Sequence, residues 1–230
     1  MKFYLQDDTS GKVDDIIRRL NKLMDGDVSI QMKEHGLEYR VNYGASVLWL
    51  RNMAKQYSGD NELADRLWHR EIRETMILAT LIADNISDNK KRIEDWALLL
   101  QQNEIAEQLG ANLLWRMPEI KNTAESWLKG NNKHLKDSVW TGLAVFLQRG
   151  GEMDESEMNK YLDLMEQSFM ATDKFTLRVQ GRFLRQLCRK SNAFMNSVDQ
   201  FVDHVKKHPN CAWLIEDVQT EIKFLKDSSL

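Results

Sequence analysis

Five cations recur at helical spacing along one stretch of the chain: Lys174, Arg178, Arg182, Arg185 and Arg189, four, four, three and four residues apart. At about 100° per residue they fall within one stripe of roughly 80° on an α-helix. Phe175, Val179, Phe183, Leu184, Leu187 and Cys188 occupy other faces, chiefly the opposite one, as a helix packed on one side requires. Like charges three and four residues apart repel, so the row calls for an external anion or for acids from a neighbouring helix. A regularly spaced arginine row suits phosphate groups, which guanidinium groups grip through paired N–H donors. The competing reading is a solvated face neutralised by the acidic stretch Glu152-Met153-Asp154-Glu155-Ser156-Glu157.

Further cations extend such a surface: Arg18, Arg19 and Lys22, then Arg51 and Lys55, then Lys129, Lys133 and Lys136. Lys90-Lys91-Arg92 reads instead as a solvated helix start. Phosphate contacts of this kind position a protein on a duplex without reading bases. His204 and His208 are four apart, as two ligands on a helix would be, but no His-Glu-x-x-His motif surrounds them and Pro209 ends the helix. They read as a surface pair, and no metal site is expected. The two cysteines, Cys188 and Cys211, lack zinc spacing and sit in apolar surroundings, as small buried hydrophobes do. Glu104 and Glu107 share one helix, where an exposed acidic face is their simplest reading. No Gly-rich phosphate loop, Gly-x-Ser-x-Gly elbow or Cys-His pair occurs, so no cofactor is expected.

The elements that must position these residues are helices. The 230 residues are 42% hydrophobic and 29% charged, ordinary for a soluble globular protein. With 32 Lys+Arg against 35 Asp+Glu, the net charge of -3 excludes a polycation that coats nucleic acid by total charge. Alternating patterns are nearly absent, while apolar residues recur at three and four: Leu63, Leu67, Ile72, Met76, Ala79, then Ile93, Trp96, Leu100, then Ile105, Leu109, Leu113. Breaks fall at Ser58-Gly59-Asp60, Ser87-Asp88-Asn89, Gly150-Gly151, Asp173 and Asn192, and Pro118 suits a first helical turn. The pattern predicts about a dozen helices and an all-α fold. Short links favour antiparallel neighbours, so helix pairs in a row predict a curved α-solenoid with a concave binding face. A compact helical bundle is the alternative. No exact sequence period appears. The seven tryptophans, on apolar stripes, read as inter-helix packing. The N-terminus has no apolar run of signal length and no stretch approaches the ~20 apolar residues of a bilayer span, so a cytoplasmic protein away from membranes is expected.

Glu62-Leu63-Ala64-Asp65-Arg66-Leu67-Trp68-His69-Arg70-Glu71-Ile72-Arg73-Glu74-Thr75-Met76-Ile77-Leu78-Ala79 resembles the DNA alkylation-repair family, the AlkD-like proteins of HEAT-like helical repeats. In that family a Leu-Ala-x-x-Leu-Trp helix precedes one that carries Arg-Glu and then small apolar residues. Three other pieces agree in order: Tyr43-Gly44 with Leu50-Arg51, Trp96 opening the helix that leads to Asn103-Glu104-Ile105-Ala106-Glu107-Gln108, and Gly181-Arg182-Phe183-Leu184-Arg185. The resemblance covers roughly residues 15 to 210 and implies one HEAT-like domain over 1–230 that grips duplex DNA.

The resemblance also implies a chemistry. Active members hydrolyse the glycosidic bond of cationic alkylated purines with a Trp and an Asp four residues apart, a second Trp and an Arg. A carboxylate stabilises developing oxocarbenium charge, and indole faces attract the cationic base. Here the Trp-x-x-x-Asp pair falls on Asn103 and Glu107, the Arg on Leu143 and the second Trp on Arg182. Only a carboxylate survives, one methylene longer. The resulting expectation is duplex DNA bound by Lys174, Arg178, Arg182, Arg185 and Arg189, with weak or absent glycosylase activity. Two alternatives stand beside it: an active glycosylase of shifted specificity using Glu107, and a scaffold for a protein partner.

Overall fold

A computed structural model describes residues 8–84, 89–169 and 172–228. Among the described residues there are α-helices and short 3-10 turns but no strand, with a lone bridge between Val41 and Ile72. The chain gathers into two compact units, Met1–Leu113 and Leu114–Leu230.

The first unit holds α1 (Asp8–Lys22), α2 (Gly26–Glu34), α3 (Val47–Ala54), α4 (Asn61–Trp68), α5 (Arg73–Ile82), α6 (Asn89–Ala97) and α7 (Asn103–Asn112). Caps set several of its boundaries. Asp25, Ser46 and Asp60 accept backbone N–H groups at the starts of α2, α3 and α4. The break expected at Ser87-Asp88-Asn89 lies outside the described residues except for Asn89, where α6 begins. Burial follows helical periodicity: Val13, Ile16 and Leu20 in α1, and Leu63, Leu67 and Trp68 in α4. Trp96 does not open the helix leading to Asn103; it lies near the end of α6, and α7 starts afresh at Asn103. Its packing explains the place. The Trp96 ring stacks on Trp68 at 4.4 Å between centroids, and its Nε1 donates to Asp65 at 3.0 Å.

The second unit opens with a 3-10 turn at Leu114–Arg116 and continues with α8 (Ile120–Leu128), α9 (Lys133–Gln148), α10 (Glu155–Ser168), α11 (Lys174–Cys188), α12 (Asn192–Val205) and α13 (Ala212–Ser228). Pro118 precedes α8 rather than sitting in its first turn, because the backbone there still follows the Met117 turn, with Ile120 N–H bonded to the Met117 carbonyl. Gly150, at φ +91°, ends α9 as a left-handed residue that a side chain would strain.

A structural period appears where the sequence shows none. Within α8, α10 and α12, bonded partners lie 36 residues apart (Lys121 and Glu157), 40 apart (Tyr161 and Lys121) and 38 apart (His204 and Glu166). Within α9, α11 and α13 they lie 39 apart (Thr176 and Asp137), 34 apart (Arg182 and Gln148) and 32 apart (Arg189 and Glu221). Similar offsets between successive helix pairs are the signature of stacked two-helix repeats. Between the rows lies an aromatic cluster: Trp140 packs on Phe183 at 5.4 Å and on Tyr161 at 6.3 Å. Trp140, Tyr161 and Phe183 are buried, as the inter-helix reading of Trp140 expects.

Candidate nucleic-acid interface

The cation row lies on α11. Asp173 caps this helix, accepting Thr176 N–H at 2.8 Å and pairing with Lys133 at 3.0 Å. Thr176, Leu177, Val179, Phe183, Leu184, Leu187 and Cys188 are buried, so the opposite side turns outward. Lys174 and Arg178 are exposed and Arg182 is half-buried. The Arg178 guanidinium stands 4.8 Å over the Phe175 ring, which braces it by a cation–π contact. Arg182 Nη2 donates to Gln148 Oε1 on α9 at 3.2 Å.

The row does not act as a unit. Arg185 donates through Nη1 to Asp217, and Arg189 donates through Nε to Glu221 Oε1 at 2.6 Å; both acids belong to α13. Gly181 leaves room for this arrangement, since a Cβ there would stand 3.0 Å from Asp217 Oδ2. Among the described residues no ion pair forms at Lys174 or Arg182. The acidic stretch 152–157 is spent elsewhere. Asp154 and Glu157 form a capping box at the start of α10, Glu157 also pairs with Lys121 at 2.8 Å, and Glu152 pairs with Lys190 at 3.2 Å.

Some of the supporting cations are similarly engaged. Lys129 pairs with Glu125 at 2.6 Å, and Lys133 with Asp137 at 2.7 Å. Asp137 is wholly buried, and burial pushes its carboxyl above the usual range although Lys133 and Thr176 oppose the shift. Arg18 pairs with Asp15 at 3.2 Å, Arg19 reaches Gln56 at 2.8 Å, and Lys22, Arg51 and Lys55 are exposed.

The positions expected to carry lesion chemistry are distributed over both units. In the first, Asn103 and Glu107 are half-buried on α7. In the second, Leu143 is wholly buried within α9 and Arg182 lies on α11. Glu104 is not part of an exposed acidic face. Arg73 donates Nε to its Oε2 at 2.8 Å and Nη2 to its Oε1 at 2.6 Å, and the Tyr39 hydroxyl donates to Oε2 at 2.6 Å. Burial pushes the Glu104 carboxyl up, but Arg73 and Tyr39 outweigh it and hold it below the usual range.

This clasp explains the Arg-Glu motif in physical terms. Arg73 Nη1 also donates to the Ala45 carbonyl and to Glu74 Oε1, each at 2.9 Å. Glu74 in turn accepts Tyr43 N–H at 3.0 Å and Ala45 N–H at 3.2 Å. Gly44 stands between them at φ +73°, where a Cβ would collide with the Asp25 carbonyl. The loop ahead of α3 is thus tied to α5 and α7 by buried charge. No local pattern could have announced this network, because its members lie 31 and 65 residues from Glu104. Elsewhere, His204 approaches Glu166 at 3.1 Å and His208 at 3.6 Å, with Lys207 at 3.0 Å from the same oxygen.

A family described as DNA alkylation repair enzyme matches residues 16–214. The fold is similar to a solved structure described as "A new family of proteins related to the HEAT-like repeat DNA glycosylases with affinity for branched DNA structures". The TM-score is 0.76 at 15% identity, covering 91% of this chain and 93% of that one. At that identity the likeness concerns the fold, a HEAT-like helical array rather than a compact bundle. No curated protein matches the sequence.

Proposed function

The chain belongs to the DNA alkylation repair enzyme family, and from that premise we propose that it binds duplex DNA through Lys174, Arg178 and Arg182, with weak or absent release of alkylated purines. The observation that carries this reading is the division of the α11 row. α13 neutralises Arg185 and Arg189, while Lys174 and Arg182 have no acid partner among the described residues. Lys174 and Arg182, eight residues apart on one side of a rigid helix with the exposed Arg178 between them, are suited to backbone phosphates. Arg185 and Arg189 then act chiefly as the tie between α11 and α13. The family match runs through both compact units, which supports a single HEAT-like domain over 1–230. The fold neighbour's affinity for branched DNA supports including junctions among the substrates tested.

Weak or absent base release follows from what occupies the family's positions. Leu143 is wholly buried and carries no charge, so it offers nothing to a lesion. Arg182 repels a cationic base where an indole would attract it, a difference of about 0.5 to 2 kcal/mol per lost contact. Asn103 brings no ring, and of the two carboxylates on α7 Glu104 is held by Arg73 and Tyr39, which leaves Glu107 for chemistry.

The test is fluorescence anisotropy with a labelled duplex across a salt series, for the wild type and for Lys174→Glu with Arg182→Glu. Each lost phosphate contact lowers the salt slope by about 0.9. Unchanged affinity and slope in the double variant would overturn the proposal. Base release from methylated duplex, compared with Glu107→Gln, addresses the enzyme: release that vanishes in the variant establishes an active glycosylase using Glu107.

A further inference from the structure

Trp49 is 59% exposed on α3, in a unit whose other tryptophans, Trp68 and Trp96, are wholly buried. It forms one wall of a groove of about 380 Å³ between α1 and α3. Leu23 and Met53 supply its apolar floor, and Asn52 and Gln56 supply amide donors and acceptors. Arg19 and Lys22 line the same groove as the indole. Arg19 is held in the wall by bonds from Nη1 to Gln56 Oε1 at 2.8 Å and to the Tyr57 hydroxyl at 3.3 Å. Lys55 Nζ donates to Asn52 Oδ1 at 3.1 Å, which draws its ammonium to the rim. Lys22 is exposed on the opposite rim with no ion pair among the described residues. Asp15 Oδ2 stands 4.0 Å from Arg19 Nη1.

From this arrangement we infer that the groove between α1 and α3 is a site for an unpaired nucleobase of a DNA strand. The base stacks on Trp49 with its edge toward Asn52 and Gln56, and the strand's phosphates lie against Lys22 and Lys55. The chemistry selects this occupant. An exposed indole offers a π-face that every base can use, and a cationic rim tracks the backbone, which together make up the usual single-strand platform. Charge complementarity excludes an apolar helix as a good fit. Such a helix would strip water from Arg19, Lys22, Asn52 and Gln56 and return no hydrogen bonds. Splayed bases occur at junctions, gaps and frayed ends, so the site would favour branched over continuous duplex. The inference rests on the DNA-binding reading only in naming the polymer, since its residues belong to the first unit and the proposed duplex contacts to the second.

The experiment measures anisotropy of the full chain with a fluorescein-labelled thymidylate single strand of about 12 nucleotides, and in parallel with a blunt duplex. Trp49→Ala is expected to weaken single-strand binding roughly 5- to 150-fold, the range for one lost base–aromatic stack. Trp49→Phe, which keeps a ring, should recover most of that loss. Duplex affinity should stay within about twofold in both variants, because no phosphate contact is removed. Equal single-strand affinity in wild type and Trp49→Ala overturns the inference, as does a wild type that binds duplex but no single strand. A dimer in light scattering that dissociates on Trp49→Ala, with no strand bound, also overturns it and gives the face to a second copy. Loss of duplex binding through the α11 variants bears on the other proposal alone, so the two fail separately.

Discussion

Arg189 Nε donates to Glu221 Oε1 at 2.6 Å, one turn beyond the pairing of Arg185 with Asp217, so the C-terminal end of the α11 row is already neutralised from α13. The pair is exposed on the arginine side and its Coulomb energy is spent in high dielectric, which limits its worth to under about 1 kcal/mol. Arg189→Gln should therefore lower stability by less than that and leave duplex affinity and salt slope unchanged. Lys174→Gln and Arg182→Gln should each lower the slope by about 0.9 without unfolding the protein. Anisotropy at several salt concentrations, beside urea unfolding, separates the two classes. A slope that falls equally for Arg189→Gln would show that α13 does not withhold it from DNA.

The clasp on Glu104 predicts a dependence of stability on acid. Its carboxyl, raised by burial but lowered more by Arg73 and Tyr39, ionises below the ordinary 4.5 in the folded state. A depressed folded value means the contribution is present above the unfolded pKa and is lost as pH falls through the folded one. Glu104→Gln should cost about 3 kcal/mol at neutral pH, because Arg73 is then buried with only Glu74 to balance it. The gap between wild type and variant should shrink as pH falls below 4.5. Urea unfolding followed by circular dichroism at neutral pH and at about pH 3 measures it. A gap that is constant with pH would mean that the carboxylate's charge does not hold the loop ahead of α3.

Cys188 and Cys211 should be inert in the native protein. Both are buried, and burial pushes the thiols up to about 12 and about 11 respectively. Since the thiolate is the nucleophile, a thiol reagent at mildly alkaline pH should label neither residue until denaturant is added. Native labelling at a rate near that of a free thiol would refute the packing of α11 against its neighbours around Cys188.

Much of the helical order is written in short-range chemistry, and that part was legible. Asp60 and Asp173 cap where their types suggest, and Gly150 stops α9 with a positive φ. The Lys174–Cys188 helix and its buried face follow from periodicity alone. What was not legible depends on partners far along the chain. The offsets of 32 to 40 residues that stack the second unit's helices leave no sequence period, because packing geometry repeats while residue identity does not. For the same reason the acids for Arg185 and Arg189 come from α13, 32 residues on, and not from the stretch 152–157. Trp96 could be recognised as a core residue, but only the structure shows that it packs on Trp68 near the end of α6. Glu104, polar and periodic with Glu107, looks like surface until Arg73 is placed beside it.

The burial of Leu143 gives the sharpest statement about the substituted chemistry. It stands wholly buried in α9, on a helix that packs along α11 through Asp137, Thr176, Gln148 and Arg182. An arginine there, as the family resemblance would expect, would place a guanidinium at a wholly buried position now held by an uncharged side chain. The cost of an uncompensated buried charge is at least about 3 kcal/mol, a large share of a domain's total stability. Leu143→Arg should therefore lower the urea midpoint sharply or abolish soluble expression, and should restore no base release. Leu143→Met, which conserves volume, should cost under about 1.5 kcal/mol and serves as the control for packing. An arginine variant as stable as wild type would mean that this position opens to solvent, and loss of the charged residue could then no longer be ascribed to a site closed by packing.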